Sequence, residues 1–362
     1  MLVRNREQPT RSLLQVRLGL NGGVAEDEDK ANGNEDSYMA GGFIYYHQVG
    51  VTAERWVTDA YFGRDGIYLG IKDDVFPGKP EQSRLEIFGR LFSFYRDGYF
   101  DDGDFVSTGR YEAKDWGVRL SYGKELDNKM RAEMGPFFHA YYFDDNSDTR
   151  PDYTIPDDYN AWGARATIEQ NMLTLSRSPG LPEQGYLATL AGEREQNDSS
   201  RTFGQAGFFE TRLPSGLWRG EGHLEFYHTD QSGGTWEIVL DGQFTDEEDR
   251  VYNNDAEKPN GNLWVDGTIG YRLVFDDTLF ITPFGEVQYL RAMEQDGGGP
   301  EGETFFGGGV NIAYVFGDGM TLVATYSYLN NASRPPIEFD QDTFGEHQFF
   351  IGLDVGFSGL FR

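Results

Sequence analysis

The tightest constraint on this chain is an alternation of period two that recurs from about residue 12 to the end. The last segment shows it most plainly. Phe349, Ile351, Leu353, Val355 and Phe357 form an unbroken apolar row, interleaved with Gln348, Phe350, Gly352, Asp354 and Gly356. Successive side chains of a strand point to opposite faces, so this pattern gives a strand with one greasy face and one wet or tightly packed face. Met130–Tyr142 repeats it, with Arg131, Glu133, Gly135, Phe137, His139 and Tyr141 on the more polar face. So do Trp218–Phe226, with Arg219, Glu221, His223 and Glu225 in phase, and Leu263–Phe275, with Asp266, Thr268 and Arg272. A chain built of such segments must hide its apolar rows either in a protein core or in lipid.

The connections bear on that choice. Strand-like segments are separated by Gly/Asp/Asn/Pro clusters, which mark turns. Short connections fall at Asp127-Asn128, Pro214-Ser215-Gly216, Asp276-Asp277-Thr278 and Gly317-Asp318-Gly319. Long acidic ones span 97–109, 144–159, 247–261, 294–302 and 331–345. Over the C-terminal region the two classes alternate, which puts short turns on one rim and long loops on the other, the pattern of an outer-membrane barrel. Tilted membrane strands need about 9–11 residues, against about 5–6 in soluble sheets, and most segments here reach the larger figure. Aromatics near strand ends (Tyr95, Tyr99, Tyr141, Tyr142, Tyr227, Phe275, Tyr289, Tyr328) suit interfacial girdles. Seventeen such segments can be read, 202–213 among them, and the count is weakest between 235–246 and 262–276, where the rim alternation breaks, and over 48–76, where two short segments flank Gly63-Arg64-Asp65-Gly66. A barrel with both ends on one side needs an even number, so we expect an all-β, antiparallel up-and-down barrel of about sixteen strands, with fourteen or eighteen as alternatives. The expected organisation is an N-terminal periplasmic segment over 1–11 and a barrel over 12–362.

Composition removes other classes. Mean hydropathy is −0.58, and no run of apolar residues is long enough for a transmembrane helix; a barrel tolerates this because only alternate residues face lipid. The formal charge of −29 argues against nucleic acid, whose phosphates need clustered Lys and Arg. The chain has no Cys, which excludes disulfides, zinc-thiolate sites and cysteine nucleophiles. The first twenty residues lack the apolar core of a secretory leader, Arg17 interrupting the best candidate; we expect the leader to lie outside this numbering.

The closing strand carries a resemblance. Phe350-Ile351-Gly352-Leu353-Asp354-Val355-Gly356-Phe357 is similar, at Gly352, Val355 and Phe357, to the terminal strand of Gram-negative outer-membrane β-barrels of the porin and export-channel superfamily. It departs from them in having Phe350 where a polar residue is usual and five residues after Phe357, with Phe361 keeping the outward phase. The resemblance implies recognition by the barrel-assembly machinery. Tyr326-Ser327-Tyr328-Leu329-Asn330-Asn331-Ala332-Ser333, with Phe339-Asp340 and His347, resembles the C-terminal end of surface lipoprotein assembly modifiers and exopolysaccharide-export porins. Leu173 to Ala188 resembles a strand-turn-strand of the protein-insertion and translocation barrels, but their late-loop Val-Arg-Gly-aromatic motif does not occur here.

No enzyme chemistry has positive support. There is no G-x-S-x-G, and the five histidines, His47, His139, His223, His228 and His347, have no metalloprotease spacing. Gly297-Gly298-Gly299 and Gly307-Gly308-Gly309 lack the Lys-Ser/Thr of a phosphate loop. No cofactor is expected. Calcium is the one ion to consider, on loop carboxylates such as Asp144, Asp145 and Asp148, set against the plainer reading of solvated loop acids. The inward phase is richer. It assigns Arg119, Arg131, Arg165, Arg219 and Arg272 to the lumen, with Glu133, Glu169, Glu221, Glu225, Asp266, Glu286 and Asp354. His139 and His223 share that phase. Mixed charge suits a hydrated pore with a selective constriction, and equally a plugged network. We therefore expect an outer-membrane channel for passive diffusion or export. The alternatives are a non-conducting structural or protein-assembly barrel, and a soluble all-β binding domain. The expected partners are outer-membrane lipid, the assembly machinery, and other envelope subunits or further copies of the chain.

Overall fold

The computed structural model describes residues 12–25, 36–49, 56–63, 66–73, 81–101, 104–126, 129–145, 149, 151–175, 181–199, 202–205, 209–212, 216–245, 261–292, 301–316, 319–330 and 346–358. Sixteen antiparallel strands close into a barrel. In chain order they are β1 (Ser12–Val24), β2 (Ser37–Val49), β3 (Trp56–Gly63), β4 (Gly66–Asp73), β5 (Glu81–Asp101), β6 (Asp104–Glu125), β7 (Met130–Asp144) and β8 (Tyr159–Asn171). They continue as β9 (Pro182–Asn197), β10 (Gly216–Thr229), β11 (Thr235–Thr245), β12 (Gly261–Phe275), β13 (Leu279–Ala292), β14 (Glu301–Phe316), β15 (Met320–Leu329) and β16 (His347–Ser358). Each pairs with its neighbours in sequence, and a two-residue strand, Thr174–Leu175, adds to β9.

The ring closes where β16 meets β1. Their ladder runs without a break from Leu13↔Ser358 to Val24↔His347. Glycine makes close packing possible there. A Cβ at Gly19 would come 2.7 Å from Cζ of Phe350 and 2.9 Å from the Ile351 carbonyl, and one at Gly352 would come 2.9 Å from the Leu18 carbonyl. The Phe350 ring thus lies flat across two positions without side chains. This explains the Phe that replaces the usual polar residue: on the inner face at this seam, a ring fills the space two glycines leave. Arg17 and Asp354, opposite each other in the register, pair beside it.

The faces are sorted inside out. Outward-pointing positions carry the large apolar side chains all round the wall, among them Leu18 at 63% exposure, Phe62 at 62%, Met134 at 64%, Leu190 at 66% and Phe306 at 62%. Inward positions on the same strands carry charge or polar groups and are largely buried. Strand β7 shows both: Phe137, His139, Tyr141 and Phe143 are buried, while Met134, Phe138 and Tyr142 are exposed. A continuous apolar belt of this extent has no place against water, and it matches the lipid-facing band of a membrane barrel. No described helix is long and apolar enough to cross a membrane.

The two rims differ as expected over the C-terminal region, but the two-residue connections 64–65 and 102–103 fall on the long rim and 172–181 falls on the short one. One rim holds the connections 126–129, 230–234, 276–278 and 317–319, and there β1 begins and β16 ends. The other holds 25–36, 145–158, 198–215, 246–260 and 330–346. Of the expected short turn Pro214-Ser215-Gly216, 214 and 215 lie outside the described residues, and Gly216 opens β10 at the long rim. The segment 202–213 is not a wall strand. Thr202–Gln205 and Phe209–Arg212 form, with Tyr153–Thr154, a separate three-stranded sheet. Removing it makes the wall count even. The span 97–109 is not a loop, because β5 and β6 run on to Asp101 and from Asp104 as a long hairpin. Residues 1–11 lie outside the described ones.

Candidate functional site: the inner wall and its mouth

Alternation brings every expected pore-lining residue to the inner face, where the charges pair along the wall. On β5 to β7, Arg84 Nη1 lies 3.6 Å from Glu86 and 3.7 Å from Glu133, and Arg119 Nη1 lies 3.4 Å from Glu86. Arg131 donates to Glu133 at 2.7 Å, which also accepts from Ser121 Oγ at 2.6 Å. Next to them Arg90 donates to Asp115 at 2.5 Å, whose other oxygen is 3.1 Å from His139 Nε2; the Tyr141 hydroxyl sits 2.7 Å from His139 Nδ1. Across β8 to β10, Arg165 spans Glu193 and Glu221, and Arg219 lies 3.3 Å from Glu193 and 3.2 Å from Glu195.

The pairing continues round the ring. His223 places Nδ1 2.7 Å from Asp241 and Nε2 3.1 Å from Glu225, which takes the Tyr227 hydroxyl at 2.9 Å. Arg272 pairs with Glu237, Glu286 accepts from Ser327 at 3.3 Å, and Glu169 lies opposite Arg131 in the register. Asp266 lies opposite Asp241. All of these pairs join residues on one strand or on strands that are adjacent or separated by one. These contacts therefore run along the inner face of the wall.

Several contributors are not evident from the sequence at first sight: Arg17, Arg84, Glu86, Arg90, Asp115, Glu193, Glu195 and Asp241. Their signal lies in the phase of their neighbours. Glu86 stands between Leu85 and Ile87, both exposed to the outside, so period two alone turns it inward. Likewise Asp115 precedes the outward Trp116. Two girdle candidates reverse for the same reason. Tyr141 and Tyr227 are buried on the inner face, whereas Tyr142 and Phe275 are exposed outside. The side chains of Tyr95 and Tyr99 are not among those described.

At the long rim the wall is dry. Tyr111 and Ala161 are fully buried, with Ala113, Tyr141, Phe143 and Tyr159 close to it. Their rings stack, Tyr141 on Tyr159 at 4.5 Å and 25°. Over them lies Tyr153 from the connection 145–158, stacked on Tyr111 at 6.0 Å and 24°, with Ile155 beside it. One carboxylate ties this cap to the wall, and another joins the rim ends of β8 and β9. Asp158 accepts the Phe143 amide at 2.8 Å, and Asp198 accepts the Asn160 amide at 2.6 Å and its side-chain amide at 3.1 Å. The backbone bond from Asn160, then its side chain, holds the Asp198 carboxyl below the usual Asp range. A second apolar cluster, Leu290, Phe305 and Leu329 with Trp264, sits on the inner face of β12 to β15.

Of the calcium candidates, Asp144 and Asp145 are exposed and Asp148 lies outside the described residues. Among the described residues no group of three or more His, Asp or Glu side chains could hold a metal ion. In the closing strand, Gly352 packs under Phe350 and Val355 pairs with Val16. The backbone of Phe357 pairs with Leu14, and Phe361 lies outside the described residues.

No family model and no curated protein matches the chain. Solved structures do. CdiB from Acinetobacter baumannii aligns with a TM-score of 0.56 at 8% identity, over 96% of this chain and 60% of that one. BamA from Haemophilus ducreyi, in a form lacking POTRA domains 1–3, aligns with a TM-score of 0.56 at 11% identity, over 97% of this chain and 71% of that one. The chain thus spans 60% of the length of the first of these. At such identities the likeness is one of fold, a closed antiparallel β-barrel.

Proposed function

We propose that this outer-membrane β-barrel works as a channel, passing solutes by diffusion or export through a hydrated lumen of mixed charge. The inner wall carries the reading. Its ion pairs are satisfied by neighbours along the wall, so water and small solutes have a polar, preorganised surface to move past. Mixed charge on such a surface selects by field and by size. The seam favours passage through the lumen over a route through the wall. A sideways route between β1 and β16 would have to break a ladder running from Leu13 to Val24 and the Arg17–Asp354 pair. The proposed location is the outer membrane, with lipid as the partner of the apolar belt and the barrel-assembly machinery as the partner of the closing strand.

The test is purification with and without detergent, followed by planar-bilayer recording. We expect a detergent-dependent, heat-modifiable barrel that produces discrete conductance steps. A folded barrel giving no steps would remove the channel and leave a structural or assembly barrel in its place.

A further inference from the structure

We infer that residues 151–158 form the size-selecting constriction of the lumen, folded inward over the wall and held there by Tyr153. This rests on the channel reading.

An inward side chain on a wide barrel faces the lumen, and stays wet unless something lies over it. Two inner-wall charges behave so, the side chains of Arg131 and Arg165 keeping 25% and 20% of their exposure, whereas Arg219 is held to 7% by the wall groups packed round it. At the long rim of β6 to β8 the same face is dry, with Tyr111 and Ala161 at 0%. The described cover is Tyr153, stacked on Tyr111, with Ile155 against the same cluster. Both come from the connection between β7 and β8, so that connection turns over the rim and into the mouth rather than standing above it. Backbone geometry fixes it there. Tyr153 pairs with Gln205 and Thr154 with Gly204 in the small sheet, and Asp158 takes the Phe143 amide. A segment pinned at both its middle and its end narrows the opening as a fixed part of the wall. The Tyr153 hydroxyl is buried without a hydrogen-bond partner, so the ring, not the hydroxyl, is the anchor.

Two measurements test this. In bilayers, Tyr153→Ala should raise the unit conductance and shift upward the size of polyethylene glycol excluded from the pore, while Tyr153→Phe should match the parent. Independently of conduction, the chain's lack of Cys makes Ala161→Cys a sole thiol under the cap. A polar maleimide should spare it in the parent and modify it in the Tyr153→Ala background. Equal modification in both overturns the inwardly folded segment, whatever the conductance. Loss of protection with unchanged conductance and exclusion overturns the constriction. Conductance in Tyr153→Ala alone supports the inference as complete closure by the segment. Protection as expected, with neither protein conducting, overturns the channel reading and with it the constriction, leaving only the fold of the segment.

Discussion

Arg219 illustrates how residues on the inner wall differ in consequence from residues that look equivalent in sequence. Its side chain is 7% exposed, and it faces Glu193 at 8% and Glu195 at 0%. Removing the guanidinium would leave the buried Glu195 carboxylate without this countercharge, while Glu193 keeps Arg165, and breaking a buried pair in this way costs about 3–5 kcal/mol. Lys114 also pairs with an acid, Asp144 at 3.3 Å, but both are well exposed, at 45% and 65%. Exposed pairs of this kind contribute about 0–1 kcal/mol. Arg219→Ala should therefore lower the unfolding midpoint in urea markedly, and Lys114→Ala should leave it nearly unchanged. Arg219→Met, with Glu193→Gln and Glu195→Gln added, should recover much of the loss, since neutral amides need no countercharge. Equal midpoints for the parent and Arg219→Ala would show that water reaches this cluster freely.

At the level of elements, the seam and the join of β8 and β9 carry the predictions. Arg17 on β1 and Asp354 on β16 face each other across the closure. Either Arg17→Asp or Asp354→Arg alone places like charges opposite, which destabilises a strand pair. The double exchange restores opposite charge at the same register. Each single variant should shift heat-modifiable migration to lower temperature, and the double variant should return most of the way; three equal shifts would mean that the pair contributes nothing to closure. The join of β8 and β9 at the long rim should respond to acid through Asp198. Its carboxyl is held below the unfolded Asp value by the Asn160 amide. Its contribution is therefore present above the unfolded pKa and lost as pH falls through the lower folded one. Hydrogen exchange at the Asn160 amide, corrected for intrinsic rate, should show protection lost below about pH 4, and Asp198→Asn should flatten that dependence. Much of this element-level picture is legible in the chain itself. The alternation of Met130–Tyr142 or Leu263–Phe275 gives the facing of each side chain, because period two leaves no freedom once one outward residue is known. The segment 202–213 reads as a wall strand because a short strand in a rim sheet alternates in the same way. Only its pairing with Tyr153–Thr154 distinguishes the two, and that contact is not local. The inward turn of Tyr153 is hidden from the sequence for the same reason.

For the whole molecule, the deciding property is that the apolar surface is on the outside. Two adjacent residues on β9 test it within one strand. Leu190 points outward at 66% exposure, in the apolar belt. Thr189 points inward, lying between Glu169 and His223 in the register. In a barrel spanning a membrane, Leu190→Arg puts a cation on the lipid face and costs about 2–4 kcal/mol near the midplane. Thr189→Arg puts the same cation on a hydrated wall beside a carboxylate, where it is tolerated. A soluble sandwich reverses the order, because the face bearing Thr189 would be its core and the face bearing Leu190 would meet water. Folding both variants into lipid vesicles and measuring the fraction that becomes heat-modifiable separates the two architectures. We expect Leu190→Arg to fold in low yield and Thr189→Arg to fold as the parent does. The conductance of the folded Thr189→Arg protein should also shift toward anions, since it adds a positive charge to the path solutes take. The opposite ranking of yields would overturn the inside-out assignment on which the lumen, its charges and its constriction all depend.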